Sequence, residues 1–105
     1  MDLGIKGRAA IVTGASRGIG REAARQFLEE GVRVMICGRN AETIEKARAE
    51  LAKQTGGEVH AVVADMTKEA DIARLVDTAK QKFGTVDILV NNAGQMYSGR
   101  FAAMT

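Results

Sequence analysis

The sequence contains no proline. Proline marks stiff spacers and many disordered segments, so its absence speaks against a linker or a disordered tail. Cysteine is almost as scarce. Cys37 stands alone, which rules out an internal disulfide, and nothing near it in sequence has metal-ligand spacing. That usage favours a reducing, intracellular setting, with Cys37 filling space at the end of a strand. His60 is the one histidine; it falls inside an apolar run with no ligand partner in sequence and reads as structural or surface. No apolar stretch is long enough for a signal peptide or a membrane span, so the expected location is the cytoplasm. An excess of one charge is missing too. Lys and Arg number 15 against 13 Asp and Glu, interleaved along the chain, which gives no reason to invoke nucleic acid or an anionic membrane surface.

What is present is an ordinary globular balance, 46% hydrophobic and 27% charged over 105 residues. A chain of this size should form one small domain and bury roughly 60–70% of its extended surface. Apolar runs alternate with helical patterns throughout. Arg8 to Val12 reads as a buried strand. From Gly18 to Glu30 a helix carries Ile19, Ala23, Phe27 and Leu28 on one face, with Gly31 where a C-terminal cap belongs. Val32 to Cys37 is a second strand. Asn40 can cap a helix that turns Ile44, Ala47 and Leu51 inward and ends at Gly56-Gly57. Glu58 to Ala64 is a third strand. Thr67 is the expected N-cap of a helix with Ile72, Leu75, Val76, Ala79 and Phe83 at helical spacing, stopped by Gly84. Val86 to Val90 is a fourth strand, closed by a turn at Asn91-Asn92-Ala93-Gly94. Strands apolar on both faces and joined by helices call for a doubly wound α/β parallel sheet of Rossmann type, β-α-β-α-β-α-β, with strand order 3-2-1-4. Residues 1–105 are expected to form one such segment.

The turn Thr13-Gly14-Ala15-Ser16-Arg17-Gly18-Ile19-Gly20 follows a predicted strand and opens a predicted helix. That is the arrangement of a dinucleotide-binding βα turn. Gly14 lets the chain turn sharply, Gly18 removes a Cβ where a pyrophosphate would approach, and Gly20 lets the helix pack closely. The helix N–H groups and dipole then face the anion. The alternative is a glycine-rich turn that binds nothing. A Walker A loop is excluded, because Gly20 is followed by Arg21 and Glu22 instead of Lys and Ser/Thr.

Charge bears on which dinucleotide is meant. NAD-binding folds place an acid at the end of the second strand, about 20 residues past the turn, to bond the ribose 2′-hydroxyl. Here that stretch reads Ile36-Cys37-Gly38-Arg39-Asn40, with no acid. Gly38 leaves room, Arg39 offers a planar fork suited to phosphate, and Arg17 could add a second positive group. NADP(H) is therefore expected in preference to NAD(H), unless both arginines are merely solvated. Asp65, at the carboxyl end of the third strand, can accept a bond from an adenine amine or simply start the next helix. The Asn91-Asn92-Ala93-Gly94 turn can let a ribose or nicotinamide lie close or be an ordinary polar turn. Met35, Met66, Met96 and Met104 are scattered and read as filling; Arg21, Arg25 and Arg33 fit a solvated face and a strand entry.

Together these residues resemble the short-chain dehydrogenase/reductase family, the most telling match being Asn91-Asn92-Ala93-Gly94 after the fourth strand. The resemblance spans the chain. It implies that Gly14, Ser16, Arg17, Gly18 and Ile19 hold phosphates and ribose. It also implies Asp65 and Met66 near adenine, and Asn91, Ala93 and Gly94 near the adenine-side ribose and neighbouring sheet. Arg39 is similar to the basic residue of the family's NADP-preferring branch. One departure is large. The family carries a Ser and a Tyr-x-x-x-Lys pair beyond the fourth strand, whereas here the one tyrosine, Tyr97, is followed four residues later by Phe101. Tyr97 reads as a loop residue, and Ser98 has no base beside it. The expectation is a cofactor-binding part that stops before the catalytic half, leaving the apolar fourth strand as an exposed edge. No catalytic or metal-binding residue is assigned. The intact protein would exchange a hydride with a small carbonyl or alcohol substrate as a homo-oligomer, with acyl-thioester, sugar, steroid and small-ketone substrates all open. The second reading is a non-catalytic dinucleotide-sensing or scaffold protein.

Overall fold

In the computed structural model, which describes residues 5–91, the apolar runs become strands whose successive side chains feed two different cores. Strand β1, Ala9–Thr13, is buried along its whole length. Ala10 and Val12 point into one cluster and Ala9 and Ile11 into the other, as the period of two requires. The same division holds in β2, Arg33–Gly38, where Val34 and Ile36 face one side and Met35 and Cys37 the other. Two strands with no polar face must lie inside a sheet covered on both sides.

The covers are helices. Helix α1, Gly18–Glu29, contributes Ala24 and Leu28 to the first cluster, and α2, Ala41–Thr55, contributes Ile44, Ala47 and Leu51. Helix α3, Glu69–Phe83, lies on the opposite face with Leu75, Ala79 and Phe83. Strands β3, Val59–Val63, and β4, Ile88–Val90, complete a four-stranded parallel sheet of order β3-β2-β1-β4. This is the expected doubly wound arrangement. Its first crossovers place β2 and β3 to one side of β1; the third crosses back and sets β4 on the other. The direction of winding therefore reverses between β1 and β4.

Local signals account for most element ends. The Asn40 side chain accepts the Thr43 amide at 3.1 Å and caps α2, while α2 and α3 end on the left-handed glycines Gly56 and Gly84. Two expectations are corrected. Ile19 does not face inward with Leu28 but is 79% exposed; the inward line of α1 is Gly20, Ala24 and Leu28. The buried line runs through a glycine, so the packed face is displaced from the one traced by large apolar residues, and Ala23 and Phe27 flank it half-buried. Thr67 is not the cap of α3. Its hydroxyl donates to Asp65 Oδ1 at 2.6 Å and its amide to the same oxygen at 2.9 Å. The side chain is thus spent closing a turn, and the helix starts at Glu69 with Lys68 in the cap position. Strand β4 is shorter than expected because Val86 packs into the second core and Asp87 closes the sheet edge differently. The Asp87 amide donates to the Ala9 carbonyl at 2.9 Å, and its carboxylate accepts the Ala9 amide at 3.0 Å.

Candidate functional site

The carboxyl ends of the four strands lie together, and each brings one side of a cleft. Strand β1 ends at Thr13, whose side chain is wholly buried. Its hydroxyl donates to Asn91 Oδ1 at 2.9 Å and leans on the Val90 carbonyl at 3.4 Å. This brace joins the ends of β1 and β4 where the winding reverses. The turn that follows is fixed by Ala15, buried in the first core, and by two left-handed residues, Gly14 at φ +60° and Gly18 at φ +66°. A Cβ on Gly18 would meet no atom within 4 Å. Its backbone conformation, not crowding within the chain, is what requires glycine there.

Helix α1 then begins with Arg17 in the cap position, extended and exposed, making no side-chain cap bond, and with no acid in the first turn. The contrast with its neighbours is informative. Helix α2 has the Asn40 cap and Glu42, and α3 has Glu69 and Asp71 in its first turn. Of these three helices, α1 alone offers its first amides and positive dipole end with neither kind of compensation, which suits an anionic ligand.

Strand β2 supplies Cys37 and Gly38, and Arg39 follows directly after it. The Cys37 thiol is buried, and that burial pushes its pKa up to about 11, so it packs as a neutral group. Arg39 is exposed at the rim. Strand β3 is tied to β2 by the Ala64 amide, which donates to the Gly38 carbonyl at 3.0 Å. Asp65 follows, half-buried, its carboxyl held below the ordinary carboxylate range first by the Thr67 hydroxyl, then by the Thr67 amide, with smaller help from Lys68 and Arg39. Arg39 and Asp65 therefore share one field across the ends of β2 and β3. Met66 is half-buried and packs against the second core.

These residues enclose a cleft of about 270 Å³. It brings together the expected Gly14, Ser16, Arg39, Asp65, Met66 and Asn91, with Cys37, Gly38, Ala64 and Thr67 filling the walls between. Its position at the carboxyl ends, across the switch in winding, is where open α/β sheets take ligands. Arg17, Ile19 and Gly20 do not line it. Gly20 is buried, Ile19 and Arg17 face outward, and Gly18 opens on a second hollow of about 330 Å³ beside Arg21, Arg25 and Gln54. Charges around that hollow are matched internally: Arg21 pairs with Glu50 at 2.7 Å, and Arg25 with Glu29 at 2.7 Å and with Glu22. Ala93, Gly94, Tyr97 and Ser98 lie outside the described residues.

Thr13 opens the glycine turn in the sequence, but its part as a brace to Asn91 was not assigned there. A lone hydroxyl closing an apolar strand was its available signal. His60 sits at the other end of β3, its Nε2 2.9 Å from Glu58 Oε2 and its ring 5.6 Å from that of Phe83, a structural setting. Among the described residues no group of three or more His, Cys, Asp or Glu could hold a metal ion, and no helix is long and apolar enough to cross a membrane.

The sequence model of the family described as short chain dehydrogenase matches residues 8–105. The NADP-dependent (R)-specific alcohol dehydrogenase of Lentilactobacillus kefiri is 46% identical over 92 residues, which is 86% of this chain and 35% of that protein. A short chain dehydrogenase/reductase of Colletotrichum higginsianum is 42% identical over 93 residues, 89% of this chain and 34% of that protein. Among solved structures, L-sorbose reductase from Gluconobacter frateurii complexed with NADPH and L-sorbose superposes with a TM-score of 0.85 at 33% identity, covering 97% of this chain and 39% of that one. The chain spans between 30% and 39% of the length of such curated relatives.

Proposed function

The chain belongs to the short chain dehydrogenase family, and on that footing we propose that it holds NADP(H), in preference to NAD(H), for an oxidoreductase acting on a carbonyl or alcohol carbon. The observation that carries this reading is the charge at the end of β2. Arg39 lines the cleft at the place where an acid would bond an unphosphorylated ribose. A planar guanidinium there favours a 2′-phosphate. The NADPH held by the Gluconobacter frateurii enzyme and the NADP dependence named for the Lentilactobacillus kefiri relative support it.

Each remaining residue has a part in that reading. The uncompensated start of α1, with Gly14, Ser16 and Gly18 before it, receives the pyrophosphate. Arg17 stands beside this anion at the helix start. Ile19 presents apolar surface that a bound nucleotide would cover, and Gly20 keeps α1 close to the sheet. Asp65 and Met66 bound the adenine end. Thr13 holds Asn91 at the edge of the cleft, and Ala93 and Gly94 follow it closely in the sequence. When bound, the cofactor supplies or accepts the hydride; the residues named here bind and orient it. The Tyr-x-x-x-Lys pair of the family does not occur in these 105 residues, so the chain's own part is binding. A small-molecule substrate, a homo-oligomeric intact protein and a cytoplasmic location complete the proposal.

Titration calorimetry of the chain with NADP+ and NAD+ tests it. Tighter binding of NADP+ is expected. Equal affinities overturn the preference, and binding of neither overturns the reading.

A further inference from the structure

Asp65 and Met66 reach the cleft from the short connection between β3 and α3. Within that connection, the Lys68 amide donates to the Asp65 carbonyl at 3.0 Å, and Thr67 bonds the Asp65 carboxylate. These bonds shape the turn but do not fix where it points. The Lys68 carbonyl accepts the Asp71 and Ile72 amides at 3.1 Å, which anchors the far end of the turn to α3, and two other bonds tie its near end to the surroundings. One is the Ala64 amide on the Gly38 carbonyl. The other runs from the Asp65 amide to Asp71 Oδ2, six residues on, at 2.7 Å. Asp71 is in the first turn of α3 and outside the cleft. One turn further, Arg74 stands 3.8 Å from the Asp71 carboxylate and donates to the Val63 carbonyl. The last residue of β3 and the first residue of the turn are thus both fastened to α3.

A bond from a backbone amide to a carboxylate is charge-assisted and stronger than a neutral one. It also occupies the Asp65 amide, so the turn cannot rotate that group toward a ligand without breaking it. Resting on the nucleotide-binding reading, we propose that Asp71 is a positioning residue of the cleft: by holding the Asp65 amide it fixes the turn that presents Asp65 and Met66 to the adenine end of the nucleotide. An acid in the first turn also stabilises α3 through the helix dipole. The two roles separate chemically, because asparagine keeps the accepting oxygen and loses the charge.

The test uses the full chain as Asp71→Ala and Asp71→Asn, with hydrogen exchange of the Asp65 amide, the melting temperature, and affinity for NADP+ and for adenosine 2′,5′-bisphosphate, which carries only the adenine half. In Asp71→Ala the Asp65 amide should exchange roughly tenfold faster or more, the equivalent of one hydrogen bond to a charged group. Affinity for both ligands should fall about three- to tenfold, the cost of ordering one loop on binding. Asp71→Asn, which keeps a neutral bond, should restore most of the affinity and part of the exchange protection while its melting temperature stays lowered. Unchanged exchange in Asp71→Ala overturns the proposal, as does changed exchange with unchanged affinity. It fails equally if Asp71→Asn loses as much affinity as Asp71→Ala, or if the loss appears with NADP+ and not with the bisphosphate. If the unaltered chain binds neither ligand, the nucleotide reading fails and this role with it, and the exchange data distinguish that failure from absence of the contact.

Discussion

Replacing Arg39 with alanine takes the guanidinium from the cleft wall without disturbing the core, since Arg39 is exposed. A hydrogen bond to a charged group is worth about 1.5–3 kcal/mol net, and an arginine can hold a phosphate through two. Two features place the expectation at the lower end of that range. Solvent screens an exposed charge, and Asp65 already draws on Arg39, whose charge helps to hold its carboxyl low. A loss of about 1.5 kcal/mol is roughly tenfold in Kd. It should fall on NADP+ alone, because NAD+ has no 2′-phosphate. Titration calorimetry of both cofactors against the unaltered chain and Arg39→Ala, each at low and at high salt, measures this. Salt should weaken NADP+ binding more steeply in the unaltered chain than in the variant. A loss shared equally by NAD+ and NADP+ would place Arg39 on a part of the nucleotide common to both. No loss with either would remove it from the site. Both results refute the assignment.

Gly18→Ala should cost about 1–2 kcal/mol of stability, the penalty of a Cβ in the left-handed region, with no packing term because no atom stands within 4 Å; a urea titration reading 4 kcal/mol or more would contradict the open space. Leu51→Ala empties a fully buried position in the first core and should cost about 2–5 kcal/mol, again by urea, a loss under about 1 kcal/mol counting against the packing described. The Cys37 thiol, raised from an ordinary 9.0 to about 11, holds its proton longer in the folded chain than in the unfolded one. Its contribution is therefore complete below pH 9 and is lost as pH climbs toward 11, by on the order of 2–3 kcal/mol. Melting curves of Cys37→Ala should lack that part of the alkaline slope. At neutral pH the thiol should resist alkylation until the chain unfolds, and fast labelling of the native protein would contradict its burial.

The covered sheet was readable because Ile11 and Val12, or Ile36 and Cys37, are apolar neighbours that must face opposite covers; right-handed crossovers between parallel strands then gave their order. Asn40, Gly56 and Gly84 were readable because caps and left-handed stops are local chemistry. What sequence did not show depends on groups whose partners lie elsewhere. Ile19 fits an apolar helical stripe, yet the buried line of α1 runs through Gly20, which contributes nothing to a hydrophobic pattern. Thr67 has the composition of a cap, but Asp65 two residues earlier competes for its hydroxyl. The reach from Asp71 to the Asp65 amide spans a turn and a helix start, and no spacing rule announces it. Arg17 and Arg39 are equally basic in the sequence; the path of the turn puts Arg39 alone of the two against the cleft.

Gly38 shows where the demands of the fold end and those of the cleft begin. A Cβ there would stand 3.4 Å from the Ile44 side chain, an ordinary contact, and the residue is not among the left-handed glycines. Neither backbone nor packing therefore demands glycine at this position. Around it, Cys37 and Ala64 are buried and held by β2 and the bond between Ala64 and Gly38, so the cleft floor cannot move without disturbing the core. Arg39 and Asp65 face the same space with side chains that the core does not constrain. In this arrangement the shape of the cleft is fixed by packing, whereas the charges at its rim, on which the proposed preference among nucleotides rests, are not. The residues that carry them can change at little cost in stability.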